Sequence, residues 1–482
     1  MSAEETSAPT HLSPDEFRQA GHAIIDWLAD YQAGIAARPV MAQVAPGDIR
    51  ARLPAAAPEC GESMEAILAD VQDILLPGLM HWQSPNFFGY FPANASPPSI
   101  LGELVSAGLG QQGMLWQTSP ACTELETHVL DWLIDLLGLP ERFRSSGAGG
   151  GVIQDSASSA TLCALLAARE RASDFQAREH GTPADLVAYC SAETHSSMEK
   201  AMVIAGCGRA RLRKIPTDAG LALDPAALDE ALRADVTAGL QPFFICATVG
   251  TTTSMAIDPV AAIAPLARRH GAWLHVDAAM AGTAALCPEF RYLNAGLEQA
   301  DSYCFNPHKW LLTNFDCDCF YVADREPLNR ALSVMPEYLR NAASDSGRAI
   351  DYRDWQIPLG RRFRALKLWF VLRSYGAAAL REFVRHHVAL ASELAAWIDD
   401  SADFDLVVPR SLNLVCFAAR GDDDRSRRLL ERVNASGRLF MSHGVIRGRY
   451  CLRLCVGQTY TTRTHVEAAW TLIRATAADG DL

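Results

Sequence analysis

Between residues 120 and 325, short β-rich runs alternate with amphipathic stretches. The runs are Leu186–Cys190, Arg211–Ile215, Phe243–Ala247, Trp273–Val276, Ser302–Phe305 and Cys319–Val322. Each is four or five residues long, and all but the basic Arg211–Ile215 are rich in β-branched or aromatic side chains, as strands are. Between them lie stretches with helical spacing, such as Pro225–Ala238 and Pro259–His270. Strands separated by helices require crossover connections. These produce a mainly parallel sheet covered on both faces. Upstream, Ser13-Pro14-Asp15-Glu16 opens a helix: serine at the N-cap, proline at the first helical position, and a glutamate able to close a capping box. Phe17, Ile24, Leu28 and Tyr31 share one face of it. The Pro- and Ala-rich stretch from Arg38 to Pro58 reads as an extended connector. A segment this short has too little core to stand alone and must dock on something. After Arg364 a long helical pattern runs through Val388 and Ile398 into a last α+β region.

Composition narrows the class. The chain has 482 residues, of which 49% are hydrophobic and 21% charged, which excludes a disordered chain. At roughly 150 residues per domain, the length suggests about three domains, or one large domain with appendages. A net charge of −13 without a basic stripe argues against nucleic-acid binding. No apolar run reaches the roughly 18 residues that a membrane span needs. The N-terminus has neither a basic nor an apolar leader segment. Thirteen scattered cysteines without a CxxC pair fit reduced thiols in the cytoplasm, and no HExxH or paired His/Cys motif suggests a metal.

Candidate chemistry gathers where strands end. Asp277 closes the run Trp273–Val276, and Lys309 follows Ser302–Phe305 within Asn306-Pro307-His308-Lys309-Trp310. A buried carboxylate is costly without a cation, so a plain salt bridge is one reading. The other is a pyridoxal phosphate (PLP) site, with the lysine forming the Schiff base and the aspartate facing the pyridine nitrogen. Gly150–Thr161 places small residues and hydroxyls before an Ala/Leu-rich helix, which suits either a phosphate or an ordinary capped helix. Thr251-Thr252-Thr253 is a second hydroxyl cluster after a strand, and His195 lies just beyond Leu186–Cys190. Each is weak alone. Together they supply a phosphate cradle, a stacking imidazole, a carboxylate and a lysine at successive strand ends.

Asn306–Trp310 and His275-Val276-Asp277-Ala278-Ala279 resemble the PLP-dependent group II amino-acid decarboxylases, most closely those acting on aromatic amino acids. So do His81–Pro85, Gly89–Pro92, Ser119–Glu126 and Trp355–Arg364. The resemblance implies PLP transferase fold type I: a mainly parallel seven-stranded sheet with helices on both faces and a smaller C-terminal α+β domain. It implies an N-terminal segment (1–95) packing on a partner subunit, a large PLP domain (96–365) and a small domain (366–482). The expected assembly is a homodimer with active sites at the interface. Lys309, Asp277, His195 and Tyr338 match catalytic positions. Ala157, Ser158, Thr252, Ala279, Asn306 and His308 match further cofactor contacts. Tyr90, Phe91, Ala93, Gln112, Met114 and Gly360, with His195, match substrate positions. The implied reaction is decarboxylation of an aromatic L-amino acid to its amine and CO2. An aldehyde synthase, or a decarboxylase of histidine or glutamate, is the alternative. Related aldehyde synthases carry phenylalanine at the position of Tyr338, so tyrosine points to the amine. The sequence departs from the animal enzymes at Asp155 (glycine there), at Ala93 (threonine there), and at Gln112 and Met114 (apolar or aromatic there).

Overall fold

The structure is a computed structural model that describes residues 11–334 and 349–479. Its centre is a seven-stranded sheet of β1 (Gly150–Gln154), β2 (Leu186–Ser191), β3 (Leu212–Ile215), β4 (Gln241–Thr248), β5 (Trp273–Asp277), β6 (Ser302–Phe305) and β7 (Asp318–Val322). The spatial order is β1-β7-β6-β5-β4-β2-β3. Only β7 is antiparallel to its neighbours; the other pairings are parallel. The expected mainly parallel α/β sheet is present. All six expected runs are strands, with bounds shifted by at most two residues. The seventh, β1, was hidden because its glycines resemble a loop. Those glycines have a packing reason: a Cβ on Gly151 would lie 2.8 Å from the Tyr321 ring.

The sheet divides its own core. Val187, Tyr189, Ile245, Ala247, Tyr303 and Tyr321 belong to one apolar cluster, while Ala188, Cys190, Phe244, Cys246, Cys304 and Phe320 belong to another. Alternate side chains of each strand therefore point to opposite faces, and both faces are dry. Helix Ala157–Ala172 covers one face, and helices Pro120–Leu137 and Val260–Arg269 cover the other. Fully burying each large side chain contributes roughly 1.5–3 kcal/mol.

Helix Arg364–Asp399 is interrupted at Gly376, whose φ of 69° only glycine adopts readily. It leads to a second, antiparallel sheet of β8 (Phe404–Leu406), β9 (Leu414–Ala419), β10 (Ser442–Ile446) and β11 (Arg449–Cys455), in the order β10-β11-β9-β8. Helix Pro14–Gly34 starts with the capping box read from the sequence: Glu16 N donates to Ser13 Oγ at 3.2 Å, and Ser13 N donates to Glu16 Oε2 at 2.7 Å. None of its residues is buried, and Phe17 is 64% exposed. The stretch after it differs from the expected connector. Val40 is fully buried, its N–H donates to the Gly437 carbonyl, and a short helix spans Asp48–Arg52. Phe87 and Val40 pack with Phe440, so this segment docks on the C-terminal part of its own chain.

One buried ion pair ties the sheet edge to the segment before the long helix. Arg361 Nη2 lies 2.7 Å from Glu126 Oε1, with both side chains no more than 3% exposed. The same Glu126 oxygen accepts the Ile153 N–H, and Arg361 Nη2 also donates to the Ile153 carbonyl. Glu126→Leu strands the guanidinium in the core, and we expect a loss of about 3–5 kcal/mol. The double variant Glu126→Leu/Arg361→Met should recover most of it. Urea midpoints test this; equal midpoints for wild type and Glu126→Leu would show that the pair holds nothing.

Candidate active site

A cavity of about 660 Å³ opens at the carboxyl ends of the parallel strands. Ligands bind at such strand ends because the helix N-termini and loops there leave backbone groups free. It is lined by Ala157, Ser158, His195, Thr252, Asp277, Ala279, Asn306, His308 and Lys309, together with Tyr90 and Phe91. The sequence assigned every one of these to the site. Ala93, Gln112, Met114 and Gly360 do not line it. The Ala93 carbonyl accepts from Gln83, Met114 O accepts from Arg353 N, and Gln112 Oε1 accepts from Arg361 N. A Cβ on Gly360 would lie 3.4 Å from Gln112 Nε2, so Gln112 and Gly360 are packed together. Tyr338 lies outside the described residues.

Each element presents its group for a local reason. Helix Ala157–Ala172 begins at the cavity, and its N-cap Ser156 takes only the Ser159 N–H. The remaining N–H groups of the first turn stay free for an anion. The turn after β4 holds Gly250 at φ 89°, where a Cβ would lie 2.6 Å from that of Ala281. No other residue fits there, and the turn brings Thr252 to the cavity. Asp277 is the last residue of β5, and its Oδ1 accepts the Ala279 N–H at 3.0 Å. Lys309 sits on the short helix after β6, with Nζ 5.1 Å from the centre of the Phe91 ring. Burial pulls the Lys309 amine below its ordinary range, and the Asp277 charge pulls it back up.

The histidines have definite proton positions. His195 Nδ1 accepts the Ser197 N–H at 3.2 Å, so the neutral ring carries its proton on Nε2. Burial lowers its pKa; Asp277 raises it and Lys309 lowers it further. His308 Nδ1 accepts the Cys317 N–H at 2.8 Å. Burial, with Lys309 nearby, pushes the His308 pKa down to about 3, so this ring too is neutral with its proton on Nε2. That proton needs an acceptor, which the Asn306 amide 3.1 Å away supplies only with its oxygen turned towards the ring. The other terminal atom of the amide is buried without a partner among the described residues. An orphaned polar atom inside a cavity calls for a ligand. Free helix N–H groups, this orphan, an amine and a carboxylate together fit a phosphorylated pyridine aldehyde.

The sequence reading missed Met80, Trp82, Met255, Met280, Phe315, Arg453 and Cys455, which also line the cavity. Arg453 is 5% exposed and donates to the Thr252 and Thr253 carbonyls and to Ser442 Oγ, with no carboxylate within 4 Å among the described residues. The only local signal was an arginine inside the apolar run Tyr450–Val456.

Comparison with known proteins places the chain. Residues 46–420 match the pyridoxal-dependent decarboxylase conserved domain. Phenylacetaldehyde synthase of Arabidopsis thaliana is 47% identical, the match covering 97% of each chain. Tyrosine decarboxylase 4 of Petroselinum crispum is 46% identical over 96% of this chain and 93% of its own. The crystal structure of Oryza sativa TDC with PLP and tryptamine superposes with a TM-score of 0.94 at 42% identity, covering 98% of this chain and 99% of the other. The chain belongs to the pyridoxal-dependent decarboxylase family and is a PLP-dependent carboxy-lyase.

Proposed function

We propose that this enzyme converts an aromatic L-amino acid (DOPA, tyrosine, tryptophan or phenylalanine) to the corresponding amine and CO2, working as a cytoplasmic homodimer. The observation that carries the reading is an aromatic box on the cavity that holds Lys309 and Asp277. The Trp82 ring lies 5.6 Å from both Tyr90 and Phe91, and all three line the cavity. Such a box favours a flat apolar side chain over a charged one.

When bound, PLP supplies an electron sink for the bond broken at the substrate's Cα. Lys309 would hold it covalently, the first turn of helix Ala157–Ala172 with Thr252, Asn306 and His308 would bind its phosphate, His195 would lie against its ring, and Asp277 would meet its pyridine nitrogen. The Arg453 guanidinium gives the cavity a positive potential that suits both a phosphate and a substrate carboxylate. The Nε2–H of His195 would donate a proton to Cα, and the resemblance assigns the phenol of Tyr338 the same task.

Exposed apolar side chains support the dimer. Leu101, Leu104, Val105 and Leu109 are each more than 40% exposed on one helix, and Phe17, Ile357 and Leu359 are exposed as well. The four on the helix, at i, i+3, i+4 and i+8, share one face, and an exposed apolar face of this kind calls for a partner. Gln112, Met114 and Gly360 then form the wall that one subunit lends to the other, with Ala93 beside the substrate carboxylate. All thirteen cysteines are free, which suits the cytoplasm.

The test is a product assay on PLP-loaded protein with DOPA, tyrosine, tryptophan, phenylalanine, histidine and glutamate, quantifying CO2, amine, aldehyde and peroxide. We expect CO2 and an aromatic amine in equal amounts. The second reading, an aldehyde synthase, is favoured by the 47% identity to an enzyme of that name. It would show as aldehyde with peroxide. Turnover of histidine or glutamate alone would sink the aromatic assignment.

A further inference from the structure

Beneath Asp277 lies a file of buried polar groups to which the proposed chemistry assigns no role. Trp273, His275 and Asp277 are alternate residues of β5 and share one face of the sheet. Trp273 Nε1 donates to Ser302 Oγ at 2.7 Å, and the same hydroxyl lies 2.9 Å from His275 Nδ1. Both Ser302 and His275 are fully buried. No other acceptor is present for the Ser302 hydroxyl among the described residues, so it donates to His275 Nδ1 and the ring proton sits on Nε2. Burial drops the His275 pKa to about 4, so the ring is neutral. Nε2 lies 3.4 Å from Thr161 Oγ1 and 3.9 Å from Cys304 Sγ. Burial pushes the Cys304 thiol well up, so it keeps its hydrogen, and Sγ lies 3.9 Å from Asp277 Oδ1.

The His275 Nε2–H is shared between Thr161 Oγ1 and Cys304 Sγ, so the file runs from the Trp273 indole through Ser302 and His275 to the Cys304 thiol, and from that thiol to Asp277. The chain ends on Oδ1, which also accepts the Ala279 N–H. No protein donor reaches Oδ2 among the described residues. We propose that His275 and Cys304 are positioning residues that fix the Asp277 carboxylate through Oδ1 and leave Oδ2 as the oxygen that meets the pyridine nitrogen of PLP. Without them the carboxylate can rotate about its terminal torsion, which is broad and soft. Hydrogen bonds aligned in a dry interior reinforce one another, so the effect of the file exceeds that of its last member. The inference rests on the reading that Asp277 faces the ring nitrogen.

The test compares binding of PLP with that of its carbocyclic analogue, in which carbon replaces the ring nitrogen. Each is titrated into apoprotein and followed by absorbance and protein fluorescence. Wild type should prefer PLP, and Asp277→Ala should abolish the preference. In His275→Phe, which keeps a buried ring between Phe244 and Phe320, PLP binding should weaken by about tenfold to a hundredfold, as for other outer-sphere partners. Binding of the analogue should not change. Cys304→Ala should lose part of the preference, and Cys304→Ser, which restores a donor, should recover it. A merely structural role would weaken both ligands equally; that result, or an undiminished preference in His275→Phe and Cys304→Ala, overturns the proposal. A wild type without any preference overturns it together with the reading of Asp277. The cysteine pair keeps the test decisive should His275→Phe not fold.

Discussion

Lys309→Ala is expected to reduce turnover by more than about 10⁴-fold, because this amine is the nucleophile that holds the cofactor and displaces the product amine from it. The lysine is suited to this. It follows β6, surrounded by protein, and burial holds its amine below the ordinary lysine range despite the opposing charge of Asp277. A lower pKa means that more of the amine is neutral at working pH, and only the neutral amine has a lone pair to offer. Borohydride reduction of the wild type should leave a PLP adduct on the peptide containing Lys309, seen by mass spectrometry. The variant should carry none there, while still retaining PLP noncovalently through the helix N-terminus and Asp277. Turnover near wild type, or an adduct on another lysine, would remove Lys309 from its role.

Tyr338→Phe is expected to change the product rather than merely the rate. After CO2 leaves, the substrate's Cα needs a proton to become an amine. A phenol supplies one and a phenyl ring cannot. Dioxygen can then take the electrons instead: amino acid, O2 and water give aldehyde, CO2, ammonia and hydrogen peroxide. We expect aldehyde and peroxide to become the main products under air and amine formation to fall by about 10²-fold or more, the usual worth of a positioned acid. An unchanged ratio of amine to aldehyde would take Tyr338 out of the chemistry. The expectation rests on sequence resemblance, since Tyr338 lies outside the described residues.

What could be read beforehand followed from how local the signal was. β2 and β4 through β7 announce themselves as short apolar runs between turns, and a strand end is where chemistry gathers. Asp277, His195 and Lys309 are each weak signals alone and stand out only by converging at successive strand ends; they line one cavity. β1 escaped because tight packing against Tyr321 requires glycines, which locally look like a loop. Arg453 and Cys455 escaped for another reason. They reach the cavity from β11, more than 140 residues after Lys309, and nothing near them in sequence marks the approach. Trp82 belongs to the His81–Pro85 stretch that resembles the decarboxylases, but its place beside Tyr90 and Phe91 is a tertiary fact. The four-stranded sheet was legible only as mixed structure, because β8 and β10 are short and partly exposed, so their alternation is faint.

The placement of β1 also sets a timetable for biosynthesis. Among the described residues its one partner in the sheet is β7, with Gly150 opposite Val322 and Gln154 opposite Asp318. Roughly 160 residues separate the two strands. At about 5–20 residues per second, β1 waits roughly 10–30 s on the ribosome for the strand that completes it. Throughout that interval the start of helix Ala157–Ala172 has no finished sheet beneath it, so the phosphate cradle cannot form. The nascent chain therefore cannot capture its cofactor early, and an apolar, glycine-rich strand stays open to wrong pairings. Chaperone protection in this window should govern the yield of active enzyme more than the abundance of PLP does.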